Sequence, residues 1–277
     1  MDTQRLKNIE SEMLKSFIEV CERLNLRYFV VGGTLLGAIR HHGFIPWDDD
    51  IDVGLPREDY EKFLQEAQSY LPKYYFVQNR KTDPELPNNY AKIRDSRTTF
   101  IENGVQHLNI NHGVYIDIFP IDFYPESKWK QRVFDVKSKL LKIRIGHAFD
   151  FANTPKKSPF RKIARKVVSL FLVLVYPTIA SALNAQEKLY KKEKNSGLVV
   201  NLCGAWGKRE IMQASWLAET CDVEFEGMAV KAPKEYDKYL KQVYGDYMKF
   251  PPVEQQVSHH YSEIIDLDEP YIKYMSK

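Results

Sequence analysis

The chain has 277 residues, 44% of them hydrophobic and 28% charged, with a formal net charge of +3. That length is enough for a full core in one or two domains, and the composition is ordinary for a globular protein. No stretch reaches the ~18 consecutive apolar residues of a transmembrane helix, and no repeat or low-complexity tract is present. Cys21, Cys203 and Cys221 are odd in number and lack metal-ligand spacing, which predicts reduced thiols. The first residues, MDTQRLKNIESEM, lack the apolar core of a signal peptide, so the expected location is cytoplasmic.

Residues 4–25 predict an amphipathic helix with Leu6, Ile9, Met13, Phe17, Val20 and Leu24 along one stripe, ending at Asn25. An apolar strand, Tyr28 to Val31, runs into Gly32-Gly33, and a short helix is expected from Thr34 to Arg40. Glycines allow close approach of backbone amides, and free N–H groups at a helix start favour a phosphate. Thr34 would add a hydroxyl there. In the next segment Asp50 and Asp52 alternate with Ile51 and Val53. In a strand both carboxylates share one face, while Ile51 and Val53 enter the core. Like charges so close call for a cation between them, and hard oxygen ligands suit Mg²⁺ or Mn²⁺.

Pro56, Glu58 and Asp59 mark the start of a helix reaching about Ser69, with Tyr60, Phe63, Leu64 and Ala67 as its buried face. Residues 74–78 read as a strand and 81–89 as a loop. Tyr90 to Arg94 reads as a strand with Lys92 and Arg94 on one face. Those cations either balance a diphosphate, with Arg94 gripping oxygens in a fork, or protect a charged sheet edge. In Gly113 to Asp122, Asp117 sits among apolar residues, where a carboxylate needs a partner. It would be the third Asp of a metal site or a general base. Asp122 follows Pro120 and reads as a turn or cap residue.

Residues 127–145 and 159–195 predict helices, the second divided at Pro177. Residues 128–166 hold nine Lys and four Arg against two Asp, a basic block that suggests an anionic surface as partner. The apolar run 167–176, VVSLFLVLVY, is too short to span a bilayer. It reads either as a core helix or, with its basic flank, as a segment 156–176 touching an anionic membrane peripherally. No nucleic-acid motif accompanies the charge, so no nucleic-acid partner is expected. Phe225-Glu226-Gly227-Met228 predicts a hairpin turn and Lys234 to Tyr244 a helix. His259 and His260 could contact phosphate, shuttle a proton or be structural. Trp206 and Trp216 could stack on a base, meet a quaternary ammonium group or pack in the core.

Strand, Gly-Gly turn, helix and a strand bearing Asp-x-Asp together resemble the nucleotidyltransferase-fold superfamily. The fuller string, with Leu35-Leu36-Gly37, Arg40, Gly43, Ile45-Pro46-Trp47 and Asp48 to Asp52, resembles the LicD family more closely. The Lys92-x-Arg94 pair, the Asp117 segment with its trailing Phe-Pro-x-Asp, the string Tyr244-Gly245-Asp246 to Pro251-Pro252 and the later His pair are similar to that family too. The resemblance implies a metal-dependent phosphotransferase. It would move a phospho-alcohol, phosphocholine foremost, from a CDP-alcohol such as CDP-choline to a hydroxyl of a cell-surface glycan. Teichoic acid, lipooligosaccharide and capsule precursors are the acceptors it implies.

The expected fold is α+β, a small mixed sheet flanked by helices. Residues 1–125 would form the nucleotidyltransferase-like core, 126–197 a basic helical insertion and 198–277 a C-terminal section closing the cleft. Asp50, Asp52 and Asp117 are the expected catalytic and metal-binding residues. Gly32, Gly33, Thr34, Arg40, Lys92, Arg94, His259 and His260 are expected on the substrate. One alternative is a nucleotidyltransferase that attacks the α-phosphate of an NTP. Another is a non-catalytic, membrane-bound scaffold of a glycan-assembly complex.

Overall fold

A computed structural model describes residues 3–148, 159–257 and 262–275. Helix α1 (Thr3–Leu24) packs its buried stripe against the sheet, with Leu6, Met13, Phe17, Val20 and Leu24 as expected. Asn25 closes it in the left-handed region, φ 50°, a conformation Asn tolerates better than most residues. Ile9 is only partly buried, and Glu10 holds the inward position instead.

The segment with the glycine pair and the aspartates follows as strand β1 (Phe29–Val30), helix α2 (Gly32–His41), strand β2 (Asp52–Pro56) and helix α3 (Arg57–Glu66). Strands β3 (Tyr75–Gln78), β4 (Ala91–Asp95), β5 (Thr99–Glu102) and β6 (Val114–Tyr124) come next. The basic region gives helices α4 (Lys128–Ala148), α5 (Pro159–Val175) and α6 (Ile179–Tyr190). Strands β7 (Leu198–Asn201), β8 (Ile211–Gln213), β9 (Thr220–Phe225) and β10 (Met228–Pro233), helix α7 (Tyr236–Tyr244) and strand β11 (Ser262–Asp266) complete the chain.

The main sheet runs β1-β2-β6-β4-β3, with β7 on the second half of β6 and β8 beyond β7. Only β2 and β6 are parallel among its pairs. The eleven-residue β6 is the spine. It pairs β2 along one edge, and β4 and then β7 along the other. Strand β6 is buried at every residue but Phe123, which explains its near-continuous apolar sequence. Strands β9 and β10 form a separate hairpin whose turn residues Glu226 and Gly227 have φ of 49° and 72°, the handedness that fits twisted strands. Phe225 and Val230 from this hairpin, with Tyr239, Leu240 and Val243 from α7, share one hydrophobic core with α1 and the sheet.

Several sequence expectations need correction. Strand β2 begins at Asp52, so Asp50 lies in the approach to the strand, although Asp117 N–H still donates to Ile51 O across the gap at 2.9 Å. Strand β4 lies between β3 and β6, so Lys92 and Arg94 do not guard an edge. Asp122 is not a turn residue. It lies inside β6, 1% exposed, where its two oxygens accept from Arg57 Nε and Nη2 at 2.7 and 2.6 Å. Proline at 120 did not end the strand because β6 continues past it onto a new partner, β7.

The apolar run 167–176 is not a core helix. In α5, Val167, Leu170, Phe171, Leu174 and Val175 all face outward, and Ser169 is the buried residue. Among the described residues no single helix is long and apolar enough to cross a membrane. Helices α5 and α6 would pass that test only as a pair bent by 85°, and α6 is built into the protein through Ala182, Leu183, Gln186 and Tyr190.

The Arg57–Asp122 fork joins the start of α3 to the middle of the sheet. Asp122→Ala leaves a guanidinium in a largely buried position, with only Glu61 at 3.2 Å as a substitute. It should destabilise the protein by about 3 kcal/mol in urea unfolding. Adding Arg57→Met should recover most of that loss; no recovery would mean that the pair is not what holds this joint.

Candidate active site

Three side chains stand in one row across three strands. Asp52 of β2 is opposite Asp117 of β6, and Asp117 is opposite Lys92 of β4. Lys92 Nζ lies 2.9 Å from Asp117 Oδ1 and 3.3 Å from Glu102 Oε1, over the Tyr115 ring at 3.3 Å from its centre. The Asp117 contact is an ion pair outside hydrogen-bond alignment, so this buried oxygen has no hydrogen bond.

The negative charge exceeds what Lys92 can balance. Burial pushes the Asp52 carboxyl well up from its ordinary value, and the charges of Asp50, Asp117, Asp48 and Glu210 add to the rise. Burial also raises Asp117, against the pull of Lys92. Glu102 goes the other way. Its burial is outweighed by Lys92 and Arg94, which bring it down to about 2. Glu10, on the inward face of α1, is raised by burial and then by Asp50 and Asp49, and its Oε2 has no hydrogen bond.

The glycine pair makes room for these acids. Gly32 has φ of 55°, a conformation costly for other residues. A Cβ on Gly32 would lie 2.9 Å from Asp52 Oδ2, and one on Gly33 would lie 2.4 Å from Asp48 Oδ2. Gly32 N–H donates to Tyr239 Oη at 3.2 Å. The Gly33 and Thr34 amides lie in the first turn of α2, where helical amides have no intrahelical acceptor.

Other expected residues take different parts. Thr34 is buried, and its Oγ1 accepts from Asp52 N–H at 2.7 Å. It fixes the aspartate backbone by accepting there, which leaves the direction of its own O–H donor unassigned by this bond. Arg94 is fully buried with every nitrogen engaged: Nε donates to Gln78, Nη1 to Gly113 O and Nη2 to Glu102, at 2.8, 2.8 and 2.7 Å. The expected phosphate fork is therefore occupied by the protein itself. Arg40 donates to Tyr247 O at 2.7 Å and lies over the Phe250 ring, tying α2 to the segment after α7. His259 and His260 fall outside the described residues. Trp216 packs against the main core, whereas Trp206 meets Tyr244 edge-on at 4.8 Å.

Two contributors carry no motif in the sequence. Glu210, after β7, is 2% exposed and is pushed up to about 7 by burial against its hydrogen bonds from Trp206, Tyr239 and Asn201. Tyr239 of α7 donates to Glu210 Oε1 at 3.4 Å while accepting from Gly32. Glu10 did leave a signal, since it occupies a core-facing place in the α1 stripe.

The donor set is hard oxygen, with several carboxylates gathered around Asp52, and this fits a divalent cation. Among the described residues, no three His, Cys, Asp or Glu side chains are drawn together tightly enough to enclose one. Asp52 and Asp117 form the close pair, with Asp50 and Asp48 beside it.

A model of the family described as "LicD/FKTN/FKRP, nucleotidyltransferase domain" matches residues 25–155. The lipopolysaccharide cholinephosphotransferase LicD of Haemophilus influenzae is 31% identical over 255 residues, covering 91% of this chain and 93% of the relative. Human ribitol 5-phosphate transferase FKRP is 31% identical over 120 residues, 42% of this chain and 20% of FKRP. An uncharacterised Rickettsia prowazekii protein, RP689, is 34% identical over 115 residues, 42% of this chain and 40% of its own.

Glu210 has a testable pH signature. Its carboxyl is raised from 4.5 to about 7 in the folded chain. The folded state therefore binds the proton more tightly, and the ionised form costs stability as pH rises through that window. The stability of Glu210→Gln relative to the parent should improve from about pH 5 to about pH 8 by on the order of 2–3 kcal/mol, then level off. A constant difference in urea midpoints across that range would show that Glu210 ionises normally.

Proposed function

The chain belongs to the LicD family of phosphate-group transferases, and from that premise we propose that it moves a phospho-alcohol from a CDP-alcohol to a hydroxyl of a cell-surface glycan. Phosphocholine is the first candidate. The observation that carries the reading is the Asp52–Asp117–Lys92 row beside the Gly32-Gly33 turn. Two buried carboxylates with raised proton affinity, facing one ammonium, are costly to maintain without chemistry to perform. That cost also argues against a non-catalytic scaffold.

The acceptor oxygen attacks the phosphorus bearing the alcohol, the bond from that phosphorus to the CMP oxygen breaks, and CMP leaves. Asp117 receives the acceptor hydroxyl proton, a role suited to a carboxylate whose proton affinity burial has raised. Lys92 keeps Asp117 in place and supplies positive charge near the transferring group. The Gly33 and Thr34 amides, at the positive end of α2, offer donors to a phosphate oxygen. Asp52, with Asp50 and Asp117, would hold Mg²⁺ or Mn²⁺, which would neutralise charge on the diphosphate and the departing nucleotide. Arg94 acts indirectly by fixing Glu102, which in turn orients Lys92.

Trp206 and Tyr244 support choline as the alcohol. The Trp206 backbone N–H donates to Glu210 Oε2 at 3.3 Å, so this aromatic pair adjoins the acidic cluster. An aromatic face beside negative charge suits a quaternary ammonium group. Nucleotidyl transfer to an acceptor from an NTP is the second reading, since the matching family model is described as a nucleotidyltransferase domain.

Product analysis separates the two. CMP released from CDP-choline in the presence of Mg²⁺ and a glycan acceptor is the expected outcome, whereas pyrophosphate released from an NTP would favour the second reading. Asp52→Asn, Asp50→Asn and Asp117→Asn should each lower kcat by at least about 1000-fold while donor binding survives. Activity within a few-fold of the parent would remove that residue from the mechanism. Trp206→Ala should raise KM for CDP-choline about tenfold and leave KM for CDP-ribitol nearly unchanged.

A further inference from the structure

The outward face of α5 is apolar where a helix on a globular protein is normally polar. Val167, Leu170, Phe171 and Leu174 follow the i, i+3, i+4, i+7 spacing of one stripe, and Phe171 and Leu174 are 68% and 83% exposed. This stripe is also unlike scattered surface leucines, because it adjoins an open apolar cavity of about 1100 Å³. The cavity lies between α4, α5 and the segment around β7 and β8, with Phe134, Val136, Ile143, Val168, Leu202 and Ile211 among its walls. On α4, Trp129, Val136 and Ile143 recur every seventh residue and therefore share a face. Trp129 is 72% exposed.

Cations surround this apolar surface. Lys128, Lys130, Arg132, Lys137, Lys139 and Lys142 on α4 are exposed, and Lys166 on α5 is as well. Lys139, Lys142 and Lys208 line the cavity, Lys208 paired with Asp135. The segment 128–166 carries a surplus of eleven positive charges. An apolar stripe, an exposed tryptophan and a dense lysine border are complementary to the interface of a bilayer with anionic headgroups. Nucleic acid would match the charge but leave the apolar stripe in water. A second copy of this chain would bring two strongly basic surfaces together.

We propose that the α4–α5 face docks on an anionic phospholipid leaflet, with the α5 stripe inserted among the acyl chains and the lysines on the headgroups. The cavity wall then faces the lipid and leads toward the acidic cluster. Asn201, one of its lining residues, hydrogen-bonds Cys203 and Gly204 N–H and contacts Glu210. Docking would present the candidate site to an acceptor carried by the membrane.

Co-sedimentation with vesicles of phosphatidylcholine alone, and of phosphatidylcholine with phosphatidylglycerol, tests this. The full chain should bind the anionic vesicles and lose binding as salt is raised. The exposed triple substitution Leu170→Glu, Phe171→Glu, Leu174→Glu should weaken binding at least about tenfold. Lys137→Glu with Lys139→Glu should weaken it by a similar factor for anionic vesicles only. Turnover of a soluble acceptor should be unchanged in both variants. Failure of the full chain to bind anionic vesicles, or undiminished binding by the triple variant, would overturn the proposal. So would a dimer in light scattering that the triple substitution dissolves, since a second copy would then cover this face. These readouts do not depend on which group the enzyme transfers.

Discussion

Parallel pairing of β2 with β6 puts Asp52 beside Asp117, and everything around the candidate site can be understood as a response to that adjacency. Two buried carboxylates on neighbouring strands repel each other, and their repulsion is strengthened where water is thin. The protein answers from the far side of β6 with Lys92, which is in turn held by Glu102, and Glu102 by Arg94. A cation, an anion and a second cation thus stand behind the aspartates in a hydrogen-bonded series, while the side toward Gly32 and Asp50 is lined by carboxylates that raise the proton affinity of Asp52.

The parts that belong to this cluster were legible in the sequence in proportion to how local they are. The helix 4–25, the Gly-Gly turn and the 225–228 hairpin each depend on neighbours a few residues away, and each is found where the local pattern puts it, whereas the strand expected to carry both Asp50 and Asp52 starts only at Asp52. The LicD resemblance, carried by the same segment, is matched by the comparison with the Haemophilus influenzae enzyme. What pattern could not supply was the partner of each charged side chain. Lys92 and Arg94 look equivalent on one face of a strand, yet Lys92 meets Asp117 while Arg94 is enclosed by Gln78, Gly113 and Glu102. Asp122 looks like a turn residue after proline until Arg57, distant in sequence, is brought to it.

The sequence of α5 does not decide between core and surface, for a related reason. A stretch of ten almost wholly apolar residues has no period from which to read a buried face, so composition cannot choose between the two. Its actual orientation follows from what α4 and α6 leave available. Helix α6 is fixed by Leu183 and Tyr190, and α4 by Phe134, Leu141 and Ile145, while α5 contributes Ser169 and part of Val168 inward.

Tyr239 joins Gly32 to Glu210, and Glu226 accepts from Phe44 N–H at 3.0 Å while filling the space that a side chain on Gly43 would need. The glycine bend is therefore shaped partly from the other end of the polypeptide. A fragment stopping at residue 155, where the family match ends, would keep all three aspartates and yet lose both the tyrosine that holds the bend and part of the core beneath it. Recognition of the family by its signature segment and possession of a working pocket are, in this protein, properties of different lengths of chain.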